Sequence, residues 1–225
     1  MNHIRIARFF CFLFLINVCS ISCSLIERRF SEKDLSFTRI LEARSFLQRL
    51  EIHLGVITEI VQKNRVLAVQ SANGIYSYED RNQLDLQFQE LLKEICRIRE
   101  SAKFKKRALL DPENPSWPRN MFLQIDPHDY SILFPLPELK PEKFGILSCS
   151  SKDFQSTLNV KTAVSADRSI GSMDYALSIL SFERARIGVL WERLEYSERL
   201  QESLIESFSK TDSSYLLQET QKIFD

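Results

Sequence analysis

The sequence predicts a mainly α fold: an elongated antiparallel helical bundle with a β-hairpin insert. Three observations lead there. Apolar residues recur at alternating intervals of three and four in three separate stretches, which is the spacing of a helix that buries one stripe. All seven prolines lie between Pro112 and Pro141, so regular helix stops in that window. Inside the window, Met121–Ile125 and Tyr130–Phe134 are short β-prone runs separated by Asp126-Pro127-His128-Asp129, the pattern of a hairpin.

Taken in chain order, the N-terminus comes first. Met1–Arg8 carries Arg5 and Arg8, Phe9–Ile21 is apolar apart from Asn17 and Ser20, and Glu27-Arg28-Arg29 follows. A basic start and an apolar core of this length read as a secretory signal, short for a membrane span. Ser20-Ile21-Ser22-Cys23 is a loose lipobox without the usual leucine, which makes Cys23 a candidate lipid-attachment site and the N-terminus a candidate membrane anchor. A plain signal peptide, an uncleaved anchor or a wrongly assigned start are the alternatives. The domain reading is 1–23 signal-like, 24–110 N-terminal helical half, 111–162 Pro-rich hairpin insert and 163–225 C-terminal helical half.

The first helix is expected from about Ser31 to Ala72. Its seam is Ile40, Ala43, Leu47, Leu50, Leu54, Ile57, Val61, Asn64, Ala68 and Ser71. Asn64 on that seam either fixes register or marks drift of the stripe, and Arg44, Arg49, Glu51, Glu59 and Lys63 fall off it and are free to be solvated. Asn73-Gly74 adopts left-handed backbone angles at low cost, so the pair reads as a C-cap. Ser77 then offers its hydroxyl to the free N–H groups of a new helix. Asp80 completes a capping box, and Glu79 favours the positive helix end. The second helix, about Tyr78–Ala102, has Leu84, Phe88, Leu91, Ile95, Ile98 and Ala102 on its seam. Lys105-Lys106-Arg107 reads as a solvated turn. The third helix spans at least Asp167–Ile205 through Ile170, Met173, Leu177, Leu180, Arg184, Ile187, Trp191 and Leu194. Three amphipathic helices, two joined by a short turn, bury their stripes against one another.

Composition narrows the function classes. Thirty basic residues balance thirty acidic ones, so no global charge points to nucleic acid or an anionic membrane surface. Five glycines leave no phosphate-cradling loop, and His3, His53 and His128 have no metal-ligand spacing. No order of nucleophile, base and acid stands out, so neither an enzyme nor a cofactor is expected. Beyond the N-terminal segment the cysteines are Cys96 and Cys149, whose spacing gives no disulfide framework; inert thiols are the expectation.

Two stretches carry a family wording. Arg65-Val66-Leu67-Ala68-Val69-Gln70-Ser71-Ala72-Asn73-Gly74 runs on to Glu79-Asp80-Arg81. It resembles the flagellin segment R-x-L-A-V-Q-x-A-N-G-x-x-x-x-E-D-R, and the Ile75-Tyr76 variant is similar to the class B periplasmic flagellins of spirochaetes. Ile170 to Leu177, Arg184-Ala185-Arg186-Ile187-Gly188 and Arg193-Leu194-Glu195 resemble the C-terminal flagellin pattern A-I-x-x-x-D-x-A-L, R-A-x-L-G, N-R-L-E. The resemblance implies a structural protein of the flagellar filament that touches neighbouring subunits through helical faces. It implies subunit contacts at Arg65, Leu67, Gln70, Asn73, Glu79, Asp80, Arg81, Arg184, Arg193 and Glu195, with Gly74 and Gly188 as backbone requirements. The partners it implies are flagellin subunits or other flagellar filament proteins, and the location is the periplasmic filament.

The departures from the family are also specific. Leu123-Gln124-Ile125-Asp126-Pro127 replaces L-Q-x-G-A-N, Lys105-Lys106-Arg107 replaces an N-G, and Trp191-Glu192 replaces small or amide residues. The signal-like start and the end at Asp225 imply a core without the family's polymerising terminal helices, expected not to form filaments alone. The alternative function is a secreted or lipid-anchored periplasmic interaction module that reuses the bundle.

Overall fold

A computed structural model describes residues 38–124, 131–150 and 153–224. The signal-like segment, Cys23, the start of the first helix and the Asp126–Asp129 turn lie outside the described residues. Helix α1 is described over 38–72, α2 is Tyr78–Ser101 and α3 is Ala163–Phe224. Every residue of the predicted α1 seam, from Ile40 to Ser71, is buried, including Asn64 and Ser71. Asn64 therefore lies on the packed stripe, and neither of its amide atoms has a hydrogen-bond partner among the described residues. On α2 the buried positions are Phe88, Leu92, Ile95, Cys96 and Ile98, joined by Asp85 and Arg99, two charged residues that the stripe did not include. On α3, Met173, Leu180, Ile187 and Leu194 are buried as expected, with Ala166, Ser169, Ala176 and Leu190 beside them. Ile170, Leu177 and Trp191 are half-buried, and Arg184, placed on the seam by its spacing, is exposed because it pairs with Glu51 at the boundary.

Ion pairs fix how the long helices align. Arg65 meets Asp174 at 2.5 Å, Arg184 meets Glu51 at 2.7 Å and Arg44 meets Glu198 at 2.9 Å. As α1 is read forwards its partners on α3 run backwards, so the two helices are antiparallel. These pairs also correct the expectation that Arg44 and Glu51 are solvated: both are half-buried at the α1–α3 boundary, where long side chains lie along the seam and pair at its edge. Arg49, Glu59 and Lys63 are exposed.

Between α2 and α3 the described residues form three antiparallel strand pairs, not one hairpin. β1 (Lys103–Phe104) pairs with β2 (Arg107–Ala108), β3 (Asn120–Gln124) with β4 (Ser131–Pro135), and β5 (Ile146–Ser150) with β6 (Asp153–Ser156). The expected hairpin is the middle pair, in register Phe122↔Leu133 and Leu123↔Ile132. Its alternation buries Leu123, Ile132 and Phe134 and exposes Phe122 and Leu133. Phe134 and Phe104 both meet Phe46 of α1 edge to face. The β1–β2 connection is the exposed turn Lys105-Lys106, with φ of 47° and 67°. Two successive positive φ angles are what a two-residue hairpin turn requires, and the reason Asn-Gly suits such a place.

The structure overturns the expectation of inert thiols. Cys96 on α2 and Cys149 on β5 form a disulfide, with Cα atoms 5.4 Å apart and a sequence separation of 53. Spacing carried no sign of it because the pairing depends on the last strand pair folding back along α2. Further contacts hold that return path. Gln89 donates to the Leu158 carbonyl at 2.8 Å, Val160 N–H donates to the Asp85 carboxylate at 2.9 Å, and Ser71 donates to the Val160 carbonyl. Lys161 stands 3.7 Å from the other Asp85 oxygen. Buried Arg99 faces Asp111 at 3.6 Å and Glu113 at 3.4 Å. Gly145, after a short 3-10 helix at Pro141–Phe144, is the glycine with left-handed backbone (φ 69°), and a Cβ there would meet Leu158.

Candidate subunit-contact surface

The motif Arg65–Arg81 forms the end of α1, a turn and the start of α2. Ser77 is the N-cap: its hydroxyl accepts from Asp80 N–H at 3.2 Å, and Asp80 accepts from Ser77 N–H at 3.0 Å. The Ser77 hydroxyl also donates to the Asp80 carboxylate at 2.7 Å; that bond first, and the Ser77 N–H second, favour the ionised carboxylate and hold Asp80 below its ordinary pKa. Arg81 reaches back across the turn, donating to the Ser71 carbonyl at 2.9 Å and the Asn73 carbonyl at 3.2 Å. It thereby satisfies carbonyls that the end of α1 leaves open.

The expected left-handed C-cap at Asn73-Gly74 is absent. Neither residue has positive φ. Asn73 instead accepts from Ile75 N–H through its side chain at 3.3 Å, an Asx-type turn, and Arg81 takes over part of the capping. Gly74 and Gly188 are exposed, and a Cβ on either would meet nothing within 4 Å, so neither is a backbone requirement here.

The ten predicted contact residues separate into two groups. Arg65, Asn73, Asp80, Arg81 and Arg184 are engaged within the chain by the bonds just described, and Leu67 packs half-buried against the core. Gln70, Glu79, Arg193 and Glu195 are exposed. The bundle thus brings the two motifs together, with Arg65 of one on Asp174 of the other, and leaves four members pointing outward.

Sequence reasoning missed one outward feature. Tyr175, Phe182, Val189 and Tyr196 lie seven residues apart on α3, and each is between 60% and 67% exposed. Leu41, Ile52, Val56 and Val66 form an exposed row on α1, opposite its buried seam. The seven-residue repeat on α3 was the available signal; the deeper stripe on the same helix hid it. Below Tyr175 the row opens on a groove of about 400 Å³ lined by Lys143, Gly145, Leu158, Arg168 and Gly171.

Comparison with known proteins follows the same outline. Residues 40–114 match the bacterial flagellin N-terminal helical region. The chain is 33% identical over 161 residues to flagellin FlaB1 of Treponema pallidum, and 31% identical over 160 residues to the flagellar filament 33 kDa core protein of Treponema phagedenis. The chain is flagellin-like across its helical core. Each of these alignments takes in 68% of this chain and 55% of the relative, so the chain spans about half the length of the curated relatives it matches. The crystal structure of Bacillus cereus flagellin superposes with a TM-score of 0.60 at 26% identity, over 70% of this chain and 85% of that one. A structure described as a candidate flagellar hook-associated protein of Vibrio parahaemolyticus shares the fold alone: TM-score 0.68, 13% identity, 88% of this chain and 97% of that one. The match to the N-terminal helical region includes the first motif.

Proposed function

We propose that this chain is a divergent structural component, or a close associate, of the periplasmic flagellar filament of a bacterium. The observation that carries the reading is the packing of the two flagellin-like motifs into one antiparallel pair, with Gln70, Glu79, Arg193 and Glu195 left outward for neighbouring flagellin subunits. The Cys96–Cys149 disulfide supports a compartment outside the cytoplasm, because such bonds persist where thiols are not kept reduced. The signal-like stretch at residues 1–23 points the same way. In this reading 24–110 and 163–225 are the two helical halves of the core and 111–162 the insert between them.

The test is mass spectrometry of the N-terminal peptide and the Cys96 and Cys149 peptides from purified flagella and from membrane fractions. The chain is expected in flagella with the disulfide formed. A lipidated Cys23 peptide confined to membranes, with none in flagella, would instead support the anchored interaction module.

A further inference from the structure

The turn between β1 and β2 is costly for the residues that make it. Lys105 and Lys106 both hold left-handed backbone, with φ of 47° and 67°, a conformation that lysine resists and that Asn or Gly adopts readily. The hairpin around them is not loose. Phe104 packs edge to face on Phe46 at 5.5 Å, and Ala102 and Ala108 are fully buried. Leu109 N–H donates to the Ala102 carbonyl at 2.9 Å, and Arg49 donates to the Lys103 carbonyl at 3.4 Å. A strained turn on a fixed base points to a task for the side chains it carries.

Those side chains are cationic. Lys103, Lys105, Lys106 and Arg107 are four exposed cations within five residues, and exposed Arg49 is tied to the same hairpin. Lys105 pairs with Glu42 at 2.7 Å, but both side chains stay more than half exposed, so solvent screens the contact. Glu100, also exposed, is the other acid close by in sequence. The side chains of Lys103, Lys106 and Arg107 have no ion pair among the described residues. Because the whole chain carries no net charge, the excess is local to this tip.

We propose that the β1–β2 tip docks on an anionic membrane surface, attracting phospholipid headgroups by charge. The chemistry favours a headgroup layer over an acidic protein. Three of the four tip cations are lysines, point charges on flexible stems. A hairpin tip encloses no pocket and presents no fixed fork, the features that a specific protein contact draws on. A flat layer of phosphates accepts such a tip in any rotation, and each lysine near it adds to the attraction. The Cys96–Cys149 disulfide supports a compartment outside the cytoplasm, where membrane surface rather than nucleic acid is the polyanion at hand. The proposal takes only that compartment from the filament reading, and the tip is separate from the candidate anchor at the N-terminus.

The experiment co-sediments the full chain with vesicles of phosphatidylcholine alone or mixed in equal parts with phosphatidylglycerol. Neutral vesicles report whatever the N-terminal stretch contributes, so the preference for anionic over neutral vesicles is scored. The parent should show that preference and lose it as salt is raised. Lys105→Asn combined with Lys106→Gly should cut it by about thirtyfold while raising the melting temperature, and binding lost as stability rises is an outcome that misfolding does not produce. Lys105→Arg combined with Lys106→Arg should retain the preference. Equal binding by the parent and the Asn-Gly variant, no preference for anionic vesicles, or binding to soluble polyglutamate with anionic vesicles ignored would each overturn the proposal. No filament is present in the assay, so absence of the chain from purified flagella would count against the filament reading alone.

Discussion

Residues 73–77 join α1 to α2, and residues 102–162 join α2 to α3; the first connection is held by neighbours in sequence, the second by residues far from it. In the short turn the bonds, from the Ser77–Asp80 box to Arg81 on Ser71 and Asn73, each span ten residues or fewer. In the long crossover the fastenings are Cys96–Cys149, Asp85 to Val160, Gln89 to Leu158 and Ser71 to Val160, each spanning more than fifty. A local device costs little chain entropy and adds about a kilocalorie; a distant one closes a long loop and is worth more. The turn therefore trims an edge, while the fastenings decide whether the strand pairs lie on the bundle at all.

The largest effect strikes what both connections depend on. Leu54→Asp or Ile187→Asp puts an unpaired charge on a fully packed seam, at a cost of several kcal/mol against a typical stability of about 5–15 kcal/mol. Both variants should unfold, whereas Glu59→Gln on the exposed face should melt like the parent. Equal thermal melting of the three would break the comparison at its root.

Next is the staple. Opening Cys96–Cys149 frees a loop of 53 residues, and chain entropy puts its contribution at about 4 kcal/mol. Denaturant titration of Cys96→Ala with Cys149→Ala should show that loss, and a reducing agent should reproduce it in the parent alone. Asp85→Ala is expected to cost about 1–3 kcal/mol by leaving the buried Val160 N–H without its acceptor, and hydrogen exchange at Val160 should rise more than at α1 amides.

Two smaller predictions concern local turns. Replacing Lys105-Lys106 by Asn-Gly should stabilise the chain by about 1–2 kcal/mol, since both residues adopt left-handed angles that lysine resists. An unchanged or lower melting temperature would count against the turn as described. Ser77→Ala should lose about 1 kcal/mol. The cap is also pH-dependent. Asp80 is held below its ordinary pKa, so its contribution is present above the unfolded carboxylate value and is lost as pH falls through the lower folded value. The gap between parent and Ser77→Ala should therefore narrow in acid, and a gap constant to low pH would contradict the box.

What was legible in the sequence follows the same division. The α1 seam from Ile40 to Ser71 is buried at every position, because periodic apolar spacing and burial on a helix are the same geometric fact. The Ser77–Asp80 box was legible because both partners sit within one turn. The left-handed ending at Asn73-Gly74 was misjudged because Arg81 competes for the same carbonyls, and side-chain capping from the next helix has no signature in the pair itself. Among the ten contact candidates that the wording singled out, it could not tell Arg65 or Arg184, engaged inside the chain, from Arg193 or Glu195, which are exposed.

By itself, then, the sequence determined which stretches are helices, where they are interrupted, and which stripe α1 buries, since these depend on intervals of three, four and seven residues. On α2 it missed buried Leu92, Asp85 and Arg99, and on α3 it put exposed Arg184 on the seam. Only the tertiary structure decided that Cys96 meets Cys149, that Asp85 and Arg99 are buried, and that Arg65 of α1 meets Asp174 of α3. Those facts depend on how a long crossover folds back and on how two helices slide past one another, and neither is encoded in the spacing of any one segment.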